Sequence, residues 1–285
     1  MFPKLNMAQS FELYKQKKLS GFFEMEDEDY RAAPGLNQSL LKNLLKTPAA
    51  YQQALQWDKF AKKSKALELG QLIHLMVLEG EEAFNKKAQL APKSDPRTKI
   101  YKEAKKKIED EGKICVSHTD MDLIKGIAES AKKDHIVQKC LSGGVAEVAC
   151  FAQHPLGILL KGKLDYINED TVFDLKTTAS ADEDEFNKSA RKYRYDLQAA
   201  FYLDLANYAA GFEKFKHFAF LAVEKTPPYL FNYFSITPLD ISAARKDYVD
   251  LFRLYLRCEE DNEWPGYTST FKSLDFRSFN ERISQ

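Results

Sequence analysis

No stretch of the sequence approaches the ~18 consecutive apolar residues that a membrane-crossing helix requires, so no transmembrane segment is expected. The opening residues, Met1 to Lys18, lack the charged-then-apolar order of a secretory signal, so secretion is not indicated. Cysteine is sparse: Cys115, Cys140, Cys150 and Cys258 are scattered with no CxxC pair, which excludes a zinc ribbon or an iron–sulfur cluster built on such pairs. Scattered thiols of this kind act as small apolar side chains and fit the reducing cytoplasm. Excess charge of one sign is missing as well, because 42 Lys and Arg balance 42 Asp and Glu. A zero net charge does not advertise a nucleic-acid binder, although local patches rather than the mean decide phosphate binding. Three basic clusters exist: Lys102, Lys105, Lys106 and Lys107; Lys161 and Lys163; Arg191, Lys192 and Arg194. Each reads first as a solvated face.

The chain has 285 residues, 44% of them hydrophobic and 29% charged, the profile of an ordinary globular protein with one sizeable core. Residues 1–30 are polar, with an acidic run from Glu24 to Asp29, and read as a loosely packed lead-in. Residues 31–285 read as one domain, with a helical part at 31–142, a sheet core at 143–236, and a final helix and tail at 237–285. Pro34-Gly35 makes a turn, after which Asn37 or Ser39 caps a helix through Leu45 that ends before Pro48. Helical spacing predicts further helices at 49–60, at 64–82 capped by Ser64, at 100–111 and at 119–140. After Gly143-Gly144 the period changes. Strands are expected at 146–151, 157–167, 171–177, 217–224 and 230–236, and helices at 182–189, 196–210 and 238–262. This order implies an α/β (α+β) core with a helical N-terminal part.

The chemistry is concentrated in Gly162-Lys163-Leu164-Asp165, the turn Asn168-Glu169-Asp170, and Phe173-Asp174-Leu175-Lys176-Thr177-Thr178. Two strands joined by a tight turn bring Asp165 near Asp174. Residues two apart share a strand face, so Asp174 and Lys176 project together while Phe173 and Leu175 point into the core. Two carboxylates beside an ammonium suit a hard divalent cation, which prefers oxygen ligands. Such a group activates water and stabilises a pentavalent phosphate. The same residues also fit ordinary turn chemistry and an exposed lysine.

This pattern resembles the signature of the PD-(D/E)XK nuclease superfamily and its RecB-like branch. That branch carries two further elements, matched here by Gly70-Gln71-Leu72-Ile73-His74 and by Gln198-Ala199-Ala200-Phe201-Tyr202. Four elements in the right order are far more specific than any one of them. The stretches Tyr30 to Lys42, Pro48 to Tyr51, Leu69 to His74, Pro92 to Thr98 and Tyr193 to Tyr202 look like the RecE (exonuclease VIII) family, over about residues 30–270.

The resemblance implies a restriction-endonuclease-like core with a central mixed sheet flanked by helices. It implies a Mg2+-dependent exodeoxyribonuclease, with Mn2+ as a substitute, that resects linear duplex ends 5′ to 3′ for annealing recombination. His74, Asp165, Asp174 and the Leu175 carbonyl would hold the metal. Lys176 would orient or activate the attacking water, Gln198 and Tyr202 would steady the lysine or contact the DNA backbone, and Glu147 matches an acidic position often seen near such sites. The implied partners are double-stranded DNA ends, a RecT-like single-strand annealing protein and further copies of the chain in a ring, in the cytoplasm of a bacterial host of a phage or prophage. Two rivals stand beside this reading: an endonuclease or repair nuclease on the same fold, and a non-catalytic DNA-binding or scaffold protein.

Overall fold

The structure, a computed structural model, describes residues 2–57 and 64–267 together with Thr270. In chain order the elements begin with α1 (Met7–Lys15), β1 (Gly21–Phe23), α2 (Asp27–Ala32), α3 (Gln38–Leu41), a 3-10 turn (Lys42–Leu45) and α4 (Pro48–Trp57). There follow α5 (Lys65–His74), a π-helical turn (Leu75–Glu79), α6 (Glu81–Lys87), β2 (Ala88–Leu90), α7 (Lys99–Asp110), β3 (Ile114–Val116), α8 (His118–Lys133) and α9 (His135–Cys140). The rest comprises β4 (Val145–Gln153), β5 (Leu159–Asn168), β6 (Thr171–Thr178), α10 (Glu183–Tyr193), α11 (Tyr195–Ala210), β7 (His217–Glu224), β8 (Phe231–Ser235) and α12 (Pro238–Asp261).

Six strands form one sheet in the order β1-β4-β5-β6-β7-β8, mixed because β6 and β7 run parallel while the other pairs are antiparallel. The parallel pair is connected through α10 and α11, which is the crossover such a pair requires. Helices cover both faces, so the expected α/β core with a central mixed sheet and a helical N-terminal part is present. One face packs on α11 and α12 around Phe201, Phe220 and Phe252; the other packs on α5 and α8 around Leu72, Ile73, Ile124 and Leu175. Burying one such side chain contributes roughly 1.5–3 kcal/mol, so these two layers hold the sheet in place. Gly162 sets how closely α11 approaches: a Cβ there would lie 2.7 Å from Leu205 Cδ2 and 3.0 Å from Tyr202 Cε1. Any larger residue would force the Leu205 and Tyr202 side chains of α11 to shift.

Three departures from the sequence reading fall in the N-terminal half of the chain. Residues 1–30 are packed rather than a loose lead-in. Leu5, Leu19 and Met25 are buried against Ala149, Phe151 and Leu159, and β1 pairs with β4 from Gly21↔Phe151 to Phe23↔Ala149. The helix expected at 64–82 stays α-helical only to His74, widens into the π turn and stops at Gly80, where φ is +90°. The helix expected at 119–140 is split because the Asp134 carboxylate accepts the amides of Ile136 (2.9 Å) and Val137 (3.1 Å) and starts a new helix. Caps at Asn37 and Ser64 form as expected. The last residues of the helix expected at 49–60, and nearly all of the tail, lie outside the described residues.

Candidate active site

β5 and β6 pair over only three positions next to their turn, Tyr166↔Phe173, Ile167↔Val172 and Asn168↔Thr171. Beyond them β5 stays with β4 and β6 stays with β7, so the two strands splay into a wedge. Asp165 sits where the wedge opens. Its Oδ2 accepts the Leu175 amide at 2.8 Å and so replaces the lost ladder partner. A strand residue turns its N–H and C=O to the same side, so the Leu175 carbonyl faces the wedge too.

Glu147 lies across from Asp165 in the β4–β5 register, between Ala146↔Tyr166 and Val148↔Leu164. Its φ is +51°, a strained value for a residue with a side chain. Both strands change faces here. Val148, Cys150, Leu160 and Leu164 line the α11-side core on one side of the pair, and Val145 and Ile167 on the other. The distortion turns both carboxylates to the same place, under the last turn of α5. There His74 Nδ1 lies 3.4 Å from Asp165 Oδ2 and 3.9 Å from Glu147 Oε1. One donor atom from each residue falls within 4.8 Å of the others.

This set fits a divalent cation. Ligands held at ~2.1 Å around Mg2+ or a similar ion sit roughly 3–4 Å apart, the spacing already present. Burial, with the nearby Asp174 carboxylate second, pushes the Asp165 carboxyl from 3.8 up to about 7; His74 and Lys176 pull the other way. Negative charge is therefore crowded at this carboxyl. The native state holds the Asp165 proton more tightly than the unfolded chain, so stability without metal falls as pH rises from about 4 to about 7. A cation needs the ionised form, so Mn2+ is expected to raise Tm more at pH 8 than at pH 6. A shift in calorimetric scans that is equal at both pH values, or larger at pH 6, would contradict this.

The opposite wall is built from β6 and α11. Asp174 is buried, with Lys176 Nζ 2.6 Å from its Oδ2 and the Gln198 amide donating to its Oδ1. The Lys176 ammonium lies 5.0 Å from the centroid of the Tyr195 ring and 5.7 Å from that of Phe220. Burial works against its charge, but Asp174 and Asp165 more than offset this and hold its pKa above the usual lysine value. Lys42 is close enough to feel it: burial, and then Lys176, push the Lys42 pKa down to about 8.

The residues singled out in the sequence are therefore distributed as follows. Asp165, Glu147 and His74 form the donor group; Asp174 and Lys176 share a strand face; Leu175 spans the wedge through its backbone. Gln198 holds Asp174 rather than the lysine. Tyr202 packs over Gly162 and pairs its hydroxyl with Gln38. Phe173 and Leu175 enter the second core as expected.

Sequence reasoning missed Tyr195, Lys42, Asp27 and Lys163. Lys161 and Lys163 form no solvated face. Lys161 donates to the carbonyls of Tyr30 (3.1 Å), Arg31 (3.0 Å) and Ala33 (2.6 Å). Lys163 bridges Asp27 and Glu147 Oε2, the latter at 3.1 Å. The signal was present in the spacing, since Lys161, Lys163 and Asp165 alternate along one strand.

Among the described residues no helix is long and apolar enough to cross a membrane. No curated protein matches the chain. Among solved structures, one described as a “Putative exonuclease” from Eubacterium rectale superimposes with a TM-score of 0.62 at 18% identity, covering 90% of this chain and 98% of the other. At that identity the likeness is one of fold. The family described as “PDDEXK-like domain of unknown function (DUF3799)” matches residues 37–275, which take in every donor and charge of the wedge. The chain belongs to that PDDEXK-like family.

Proposed function

We propose that the protein is a divalent-metal-dependent deoxyribonuclease acting on the ends of linear duplex DNA. The observation that carries this is the strand wedge, with the donors of His74, Glu147 and Asp165 at one wall and the Asp174–Lys176 pair at the other. The fold, the family and the likeness to exonuclease VIII support it. His74, Glu147 and Asp165, joined by Asp174 and the Leu175 carbonyl, would hold the cation. When bound, the cation stabilises charge on the phosphoryl oxygens and acidifies water. Lys176 stays an ammonium at neutral pH because its pKa is raised. It therefore orients the attacking water and stabilises charge at phosphorus instead of accepting a proton. Gln198 keeps Asp174 aligned for both neighbours.

One turn before His74, a Cβ on Gly70 would meet nothing within 4 Å. Packing does not demand this glycine, and in mid-helix it costs about 0.8–1.0 kcal/mol relative to alanine. An open face of α5 beside the donors suits the approach of a DNA backbone. Gly70→Ala is expected to raise stability by about that amount and to lower activity through KM for DNA. Urea unfolding together with steady-state kinetics checks both, and unchanged KM would remove Gly70 from the substrate path.

The finer reading is 5′-to-3′ resection that feeds a single-strand annealing protein, by a ring of copies threaded on DNA. With no net charge to grip DNA, confinement within a ring would keep the enzyme engaged. Head-to-tail contacts that close would form such a ring. Lys161 and Lys163 are engaged within the protein, so the exposed lysines of α7 with Arg191 and Lys192 remain for phosphates. Incubating linear and covalently closed duplex with Mg2+ tests the function. Loss of linear DNA alone is expected, with an oligomeric mass by light scattering. Nicked circles would favour an endonuclease, and no loss a binding protein.

A further inference from the structure

The geometry points to Lys163 and Asp27 as positioning residues for Glu147, which makes the N-terminal segment a working part of the metal site. This rests on the proposed metal-dependent activity. The Lys163 ammonium bridges two carboxylates, Glu147 on β4 and Asp27 at the start of α2. It takes Glu147 through Oε2, at 3.1 Å. That leaves Oε1 turned toward His74 Nδ1, 3.9 Å away. The chain of contacts thus runs Asp27, Lys163, Glu147, His74, Asp165.

Glu147 needs such a holder. Its backbone is in the left-handed region, in the middle of a strand, and its side chain is one of two carboxylates crowded at the wedge. With no cation bound, repulsion from Asp165 favours rotation of Glu147 away. Lys163 fixes it by one oxygen, and Asp27 keeps Lys163 from closing over both. Lys161 supports the arrangement two residues earlier, since its ammonium holds the carbonyls at the end of α2 and so fixes where Asp27 begins. The family match starts at residue 37, so Asp27 belongs to a stretch outside it.

Charge and position predict opposite outcomes, which makes the idea testable. Removing a cation beside a metal ligand would tighten Mn2+ binding if Lys163 acted by charge alone. If it positions Glu147, the same change weakens binding. The experiment is a Mn2+ titration of the full chain followed by electron paramagnetic resonance, with Tm recorded for each variant. For Lys163→Met, Mn2+ affinity is expected to drop about tenfold or more, the usual effect of removing a residue that orients a ligand. Lys163→Arg, which still bridges both carboxylates, is expected to restore most of it. Asp27→Asn, at a more exposed position that leaves the core intact, is expected to weaken binding severalfold; it carries the test if Lys163→Met does not fold. Tighter or unchanged binding in Lys163→Met, or unchanged binding in Asp27→Asn, overturns the assignment while the metal site itself stands. Absence of Mn2+ binding by the unaltered protein overturns the metal reading and this one with it.

Discussion

Lys176→Ala is expected to slow DNA cleavage by about two to three orders of magnitude, the scale of losing one group that stabilises charge developing in the transition state. The ammonium is fixed before substrate arrives, by the Asp174 carboxylate at 2.6 Å and by the rings of Tyr195 and Phe220. A flexible surface lysine would reorganise during the reaction; this one does not have to. The loss should appear in the single-turnover rate, with DNA affinity changed little. The fold should persist, because Gln198 still donates to Asp174. Asp174→Ala is expected to fail on the same scale, since it removes both a carboxylate of the wedge and the anchor of the lysine. Near-normal digestion by either purified variant would remove these residues from the chemistry.

Asp165→Asn is expected to abolish activity and, at the same time, to stabilise the metal-free protein. The carboxyl at this position is crowded by burial and by Asp174, which is why its pKa rises to about 7. An amide keeps an oxygen to accept the Leu175 N–H and carries no charge to crowd. Above pH 7 a gain of order 1 kcal/mol would raise Tm by about 2–4 °C in a domain of this size. The gain should vanish near pH 4, where the native carboxyl is protonated as well. The variant should also lose the Mn2+-dependent rise in Tm. A metal-free Tm below that of the unaltered protein at pH 8 would contradict the account of Asp165.

The parts that were legible in the sequence are those where a local rule decides the outcome. The β5–β6 hairpin shows a turn flanked by alternating residues, and Asp174 and Lys176 share a face because any strand places i and i+2 together. α11 is plain from its spacing, and the observed β7 matches the expected 217–224 residue for residue. Other features depend on contacts distant in the chain. β1, β2 and β3 have three residues each, too few to display a period. α1 carries a capping box of Asn6 and Gln9, a readable signal, but its polar surroundings suggested a loose segment. The left-handed Glu147 and the widened turn after His74 arise from packing two strands and a helix around one point, and neither has a composition of its own. Lys163 looked like surface charge because its partner Asp27 stands 136 positions earlier.

The three residues of β1 occupy the outer side of β4, a strand whose sequence Val-Ala-Glu-Val-Ala-Cys-Phe-Ala-Gln is apolar at most positions. Trimmed to the family-matched stretch, the chain would present β4 as a bare edge with unpaired amides and carbonyls. It would also leave the buried Lys161 ammonium without the carbonyls it holds. An apolar edge of that kind is a template for strands of other molecules. Fragments starting near residue 37 should therefore accumulate as insoluble aggregates, whereas those keeping residues 2–36 should not.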